Sequence, residues 1–248
     1  MFLDNDSQSI VDLFWQLCGE IERYPRQLER SIVLALPLRI VKLPDLELHK
    51  IESWLVHRRS AFRFNCQSRA VRGCLIAYRG KGLIFLDGSD SEDEQRFTLA
   101  HEVAHFMVDY WLPRRKALER FGDTIAEVVD GLRSPTTTER IHAVLTQTPI
   151  GVHTNLMERN DNRQTDPELW QIENRADKVA LVLLASPDVV LQRKNLSAKT
   201  FEERINTISA VLQNEFGLPE NIATSYGWSL LTSIGKGPSW VEKLAFNR

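Results

Sequence analysis

Five consecutive residues, His101-Glu102-Val103-Ala104-His105, constrain this chain more than any other feature. They lie in the run Phe97-Thr-Leu-Ala-His-Glu-Val-Ala-His-Phe-Met-Val-Asp-Tyr110, and no Gly or Pro interrupts the stretch from Ser91 to Leu112. On a helix, residues four apart share a face one turn apart. Two imidazoles so placed can bind one Zn²⁺ together, and Glu102 beside them can take a proton from an attacking water. Ser91-Glu-Asp-Glu94 has the form of a capping box, which predicts a helix start about ten residues ahead of His101. Phe97, Ala104 and Phe106 supply apolar surface to bury such a helix. The competing reading, a pair of satisfied core histidines, loses ground once a third ligand is found downstream.

Catalytic zinc takes three protein ligands and keeps one position open. The segment from Glu168 to Leu184 reads as a second helix, capped by Asp166 with Pro167 in its first turn. Trp170, Ala176, Ala180, Leu183 and Leu184 fall at helical spacing and predict the face that packs on the core. Glu173 and Asp177 stand at i and i+4, so both can point at one place. Glu173 is the candidate oxygen ligand. Asp177 is placed to accept a hydrogen bond from the far ring nitrogen of a ligating histidine, fixing its tautomer. The alternative is a solvated acidic edge with Glu173 paired to Arg175 or Lys178.

A peptidase of this kind also needs a donor for the oxyanion that forms on the scissile carbonyl. His153 and Tyr110 are the candidates, against ordinary loop or helix-face packing. His49 and His57 fall in a charged stretch and are read as surface residues, and His142 as an exposed helix position.

The run Arg96-Phe-Thr-Leu-Ala-His-Glu-Val-Ala-His105 resembles the R-F-[ST]-x-A-H-E-x-x-H pattern of the ImmA/IrrE family of metallo-endopeptidases. Glu173-Asn-Arg-Ala-Asp-Lys-Val-Ala180, followed by Leu183-Leu184, is similar to that family's second segment, and the Gly73–Asp87 hairpin matches its layout. The likeness runs through roughly residues 30–190 in order, and its specific parts are the two metal segments. It implies His101, His105 and Glu173 as zinc ligands and Glu102 as catalytic base. It also implies a cytoplasmic bacterial or phage-related protein whose substrate is a DNA-bound regulator, a helix-turn-helix repressor or an antitoxin, in stress, mobile-element or defence responses. Two departures stand out. The interval from His105 to Glu173 is lengthened by an insertion over 111–166, and Leu-Leu-Ala-Ser-Pro187 carries one extra residue before its proline. The insertion borders the expected cleft, so substrate identity is the part of the likeness it bears on.

With 248 residues, 43% of them apolar, the chain can bury a substantial core. A net charge of −2 provides no global basic field, so direct nucleic-acid binding is not expected. Three cysteines, Cys18, Cys66 and Cys74, are odd in number and widely spaced, which suits a reduced cytosolic chain. No signal-peptide pattern or membrane-length apolar run is present, so no membrane partner is expected.

Along the chain, Ile10–Ile21 has the spacing of an amphipathic helix, and Pro25 opens a second helix through Leu36. Leu38–Leu43 alternates as a strand, a helix follows over Glu47–Arg58, and Gly73–Asp87 supplies two strands turned at Gly80-Lys-Gly82. The insertion reads as helical pieces over 115–121, 123–129 and 135–145. Helices are expected over Thr200–Phe216 and Pro219–Ile234. The expected architecture is α+β and zincin-like, a small mainly antiparallel sheet packed on the H-E-x-x-H helix with additional helices. Its divisions are a lead-in over 1–60, a metallopeptidase core over 61–190 and a helical extension over 191–248. The expected activity is zinc-dependent endopeptidase cleavage of a specific regulatory protein. The rival is a non-catalytic regulator-binding protein that keeps the same fold.

Overall fold

The computed structural model describes residues 5–140, 148–159, 166–193 and 200–239. Its centre is a four-stranded sheet in the order β1-β3-β2-β4. β1 (Leu38–Leu43) runs parallel to β3 (Lys81–Asp87), whereas β2 (Val71–Tyr78) is antiparallel to both β3 and β4 (His153–Glu158). β2 and β3 are joined through Arg79 and Gly80, both at positive φ. A two-residue hairpin turn of that conformation matches the twist of its flanking strands.

Period-two alternation gives the sheet two buried faces. Val71, Cys74, Ile76 and Phe85 pack under helix α3 (Leu48–Val56) through Leu48, Ile51 and Leu55. Leu38, Leu75, Ala77, Ile84 and Leu86 face the other way, onto helix α4 (Glu92–His105). That second core also contains Phe14 and Trp15 of α1 (Asn5–Cys18), Ile32 of α2 (Glu29–Ala35), and Val179 and Leu183 of the helix Pro167–Leu184. Phe201 and Ile205 of the helix Phe201–Asn214, and Leu230 of the helix Glu220–Ser233, complete it. One apolar cluster therefore runs through the lead-in, the metal segments and the C-terminal helices. The amphipathic face of α1 is spent on this core.

The chain continues from α4 without a break. A π-helical stretch over Phe106–Trp111 leads into α5 (Leu112–Phe121). Pro113 has no N–H with which to continue the ordinary ladder, and π-helical turns are commonly found next to functional sites. A 3₁₀ turn over Asp123–Ile125 and α6 (Ala126–Val129) follow, with Arg114 paired to Asp130 at 2.9 Å. Among the described residues, further helices are α7 (Pro167–Leu184), α8 (Pro187–Arg193), α9 (Phe201–Asn214) and α10 (Glu220–Ser233), and residues 137–140 are also helical.

Several expectations are corrected. β4 lies inside the insertion that was read as helical pieces and loop. Its residues His-Thr-Asn-Leu-Met-Glu lack strict apolar alternation, and pairing with β2 supplies the reason for its strand form. Ser91 does precede α4, but its side chain makes no cap hydrogen bond, and the Glu94 side chain, the other half of the expected capping box, accepts from Arg72 at 2.6 Å. The second helix starts at Glu29 rather than Pro25. Arg26 is pulled inward there, donating to the Leu183 carbonyl and lying over the rings of Trp15 and Tyr24. Trp170 is 55% exposed and is not part of the packed face of α7, which is Ala176, Val179, Ala180, Leu183 and Leu184. The Asp166 cap does form, its carboxylate accepting from the Glu168 and Leu169 backbone N–H groups. Thr200 and Glu203 form a capping box at the start of α9. His142 lies outside the described residues. Among the described residues, no helix is long and apolar enough to cross a membrane.

Candidate metal centre

α4 and α7 lie against each other and bring His101, His105 and Glu173 together, all three buried. One ligand atom from each lies within 4.8 Å of the others. His101 Nε2 and His105 Nε2 are 3.0 Å apart. Glu173 approaches them with Oε2 at 3.3 Å from His101 Nε2 and Oε1 at 3.6 Å from His105 Nε2.

The far ring nitrogens decide what this cluster can hold. His101 Nδ1 is 2.8 Å from Asp177 Oδ1, and His105 Nδ1 is 2.7 Å from Asp109 Oδ2. A carboxylate only accepts, so in each imidazole the proton sits on Nδ1 and the Nε2 lone pair points inward. Two inward lone pairs and a carboxylate then face one another with no donor among them. Such a cluster is completed by a cation. Its N, N, O donor set suits Zn²⁺, and would also accept Mn²⁺ or Fe²⁺. Without a metal, a proton takes that place. Burial alone would lower the His101 pKa, but hydrogen bonds to Asp177 and Glu173 raise it to about 10. Burial would likewise raise Glu173, yet the two histidines hold it well below the usual carboxylate range.

Glu102, on the same turn, is fully buried and outside the three-residue cluster. Its Oε2 accepts from Asn155 Nδ2 at 3.3 Å, and its Oε1 has no hydrogen-bond partner among the described residues. Burial raises its pKa above the ordinary carboxylate value, against the pull of His101 and His105. A carboxylate held by one oxygen, with the other unsatisfied, is suited to accept a proton. Room for it exists because β2 carries glycine at position 73. A Cβ built there would lie 3.0 Å from Glu102 Oε1.

The two residues read as oxyanion donors end in different places. His153, on β4, stacks on Tyr110 with ring centroids 6.0 Å apart, and its Nε2 is buried without a partner. Burial holds its pKa below the usual imidazole value, while the charges of Asp109 and His105 act on it in opposite directions. Tyr110 is buried as well, but its hydroxyl oxygen accepts from the Gly80 N–H at 2.7 Å and so reaches toward the β2–β3 turn.

Three residues of this neighbourhood escaped sequence reasoning. Asp109 stands four residues after His105, a spacing that would have revealed it. Arg175 forms an ion pair with Asp109 on the opposite oxygen from His105, linking α7 to the helical run of α4. Arg175 was considered only as a partner of Glu173. Asn155 carried no signal at all, because β4 itself was not expected. His49 and His57 are exposed, as read from the charged stretch around them.

Residues 56–127 match the family model described as Peptidase_M78, IrrE N-terminal-like domain. This match supports membership of the ImmA/IrrE family and points to a metallopeptidase type of function. It includes His101, Glu102 and His105 and ends before Glu173, so the third ligand rests on geometry. No match was found among curated proteins.

Proposed function

We propose, taking the support for ImmA/IrrE membership as premise, that this chain is a Zn²⁺-dependent endopeptidase of zincin-like architecture that cuts a specific regulatory protein. The observation that carries the reading is the convergence of His101, His105 and Glu173 with Glu102 buried beside them but outside the ligand cluster. A site that merely held a metal for structure has no use for a second buried carboxylate outside its ligands, and this counts against the non-catalytic rival. His101, His105 and Glu173 would hold the ion. Zn²⁺ there supplies a Lewis acid and makes water acidic enough to attack near neutral pH, against a bulk pKa of ~15.7.

The chain's own residues account for the rest of the chemistry. Glu102 accepts the proton of the attacking water and passes it to the leaving amine nitrogen. Asn155 keeps the carboxylate turned toward that task. His153 offers an Nε2–H to the oxygen on which negative charge develops. The extended substrate has a natural track in β4, which pairs with β2 on one side and forms an edge of the sheet on the other. A peptide added there gains backbone hydrogen bonds, and alternation turns His153, Asn155 and Met157 toward α4. A DNA-binding regulator or antitoxin as substrate, and a cytoplasmic setting, follow from the family resemblance and the cysteine pattern.

Metal content by elemental mass spectrometry, on wild type and Glu173→Ala together, tests the site. The expected result is one zinc per chain in the wild type and its loss in the variant. Zinc retained without Glu173 would mean a different third ligand, and none after reconstitution would leave the docking protein. A finer prediction concerns Asp177. Replacing it with Asn removes the carboxylate that orients His101, and the zinc affinity should fall by about 10–100-fold. Competition with a chromophoric chelator measures this, and an unchanged affinity would remove Asp177 from the site.

A further inference from the structure

On the face of the sheet away from the metal ligands, α3 covers only part of the strands. The uncovered part is a groove of about 840 Å³, within the range of small-molecule sites. Leu55, Ile76 and Leu83 line it together with Trp54 and Phe62. Its charged lining residues are Arg39, Arg58 and Lys81, and no aspartate or glutamate lines it. Among the described residues, none of these three cations is paired with a carboxylate. The Arg58 guanidinium lies 3.5 Å from the centroid of the Trp54 ring. Lys81 pairs with Tyr78 in the hairpin, and Arg39 pairs with Leu83 on the neighbouring strand. Cations and apolar surface are thus brought together by β1, β2, β3, α3 and the turn that follows α3.

We propose that this groove is a binding site for a small organic anion with an apolar body. The body lies on Trp54, Ile76 and Leu83, and the acidic head meets Arg39 and Lys81. Charge complementarity selects this occupant: an uncharged apolar ligand leaves three cations unused, and a cationic one is repelled by all of them. The groove is separate from the metal centre, yet it reaches Val152, the residue that precedes strand β4. Val152, 45% exposed, lines the groove, while the adjacent His153 stacks on Tyr110.

The test is calorimetric titration of the zinc-loaded full chain with decanoate, 1-naphthoate and decyltrimethylammonium. At least one of the two carboxylates should bind saturably at one site per chain, which separates an aliphatic from an aromatic body. Decyltrimethylammonium should bind at least about tenfold more weakly than decanoate if the body is aliphatic. The double substitution Arg39→Glu and Lys81→Glu should weaken the carboxylate about tenfold or more, since exposed charges are reversed at two contacts. Both positions are exposed, and unchanged zinc content shows that the fold is kept. Carboxylate binding that survives the charge reversal belongs to the metal or to nonspecific apolar surface and overturns the proposal. Failure of both carboxylates to saturate overturns it equally. Neither result bears on peptidase activity.

Discussion

Replacing Glu102 with Gln should lower peptide cleavage by about 10²–10⁴-fold while leaving zinc content at the wild-type level. The substitution keeps the shape of the side chain and removes only its capacity to take a proton. His101, His105 and Glu173 remain, with Asp177 and Asp109 still orienting the two imidazoles. Asn155 can rotate its amide and continue to hold the new side chain, so no buried group loses its partner. Co-expression with candidate DNA-binding regulators, followed by mass spectrometry of the intact chains, reads the result. The wild type should shorten its regulator, and the variant should retain it whole. A variant that cleaves at the wild-type rate would exclude Glu102 as the base. A variant that loses zinc together with activity would make Glu102 a ligand instead.

The two metal-bearing helices were legible because their information is local. His101 and His105 need only a helical turn to meet, and Glu173 and Asp177 need only another. Caps and apolar spacing marked where both helices run. The strands Leu38–Leu43 and Gly73–Asp87 were legible for a similar reason, through alternation and a glycine-bearing turn. What the sequence concealed depends on contacts between distant segments. β4 is a strand because β2 offers it a partner, and its six residues do not alternate cleanly enough to say so alone. Asn155 went unseen with it. The ion pair between Asp109 and Arg175 joins helices that are far apart in the chain, so neither residue carries a signature of the other. Trp170 was misread for the opposite reason. Its spacing is right for the buried face of α7, but α4 and the core cover that helix only from Glu173 onward, leaving the first turns in solvent.

Gly73→Ala should destabilise the fold by about 1–3 kcal/mol and disturb the site out of proportion to the single methyl added. The glycine is required by space, not by an unusual backbone conformation. A Cβ at position 73 would lie 2.5 Å from Thr98 Cγ2, as well as pressing on Glu102. Thr98 is buried on α4 one turn before Glu102, and it is β-branched, so neither neighbour can swing aside freely. Relief must come from α4 moving away from β2, and that movement carries His101, Glu102 and His105 with it. The loss of activity should therefore exceed what the lowered Tm accounts for at a temperature where the chain remains folded. Thr98→Ser supplies the control. It deletes the methyl that clashes, and in the double variant it should recover much of the stability lost in Gly73→Ala, giving a favourable coupling in a double-mutant cycle. Thermal unfolding and zinc affinity measured on all four proteins decide the matter. Simple additivity of the two substitutions would show that α4 does not rest on Gly73 through Thr98. An unaltered Tm in Gly73→Ala would remove the close approach of helix and strand on which the placement of Glu102 depends.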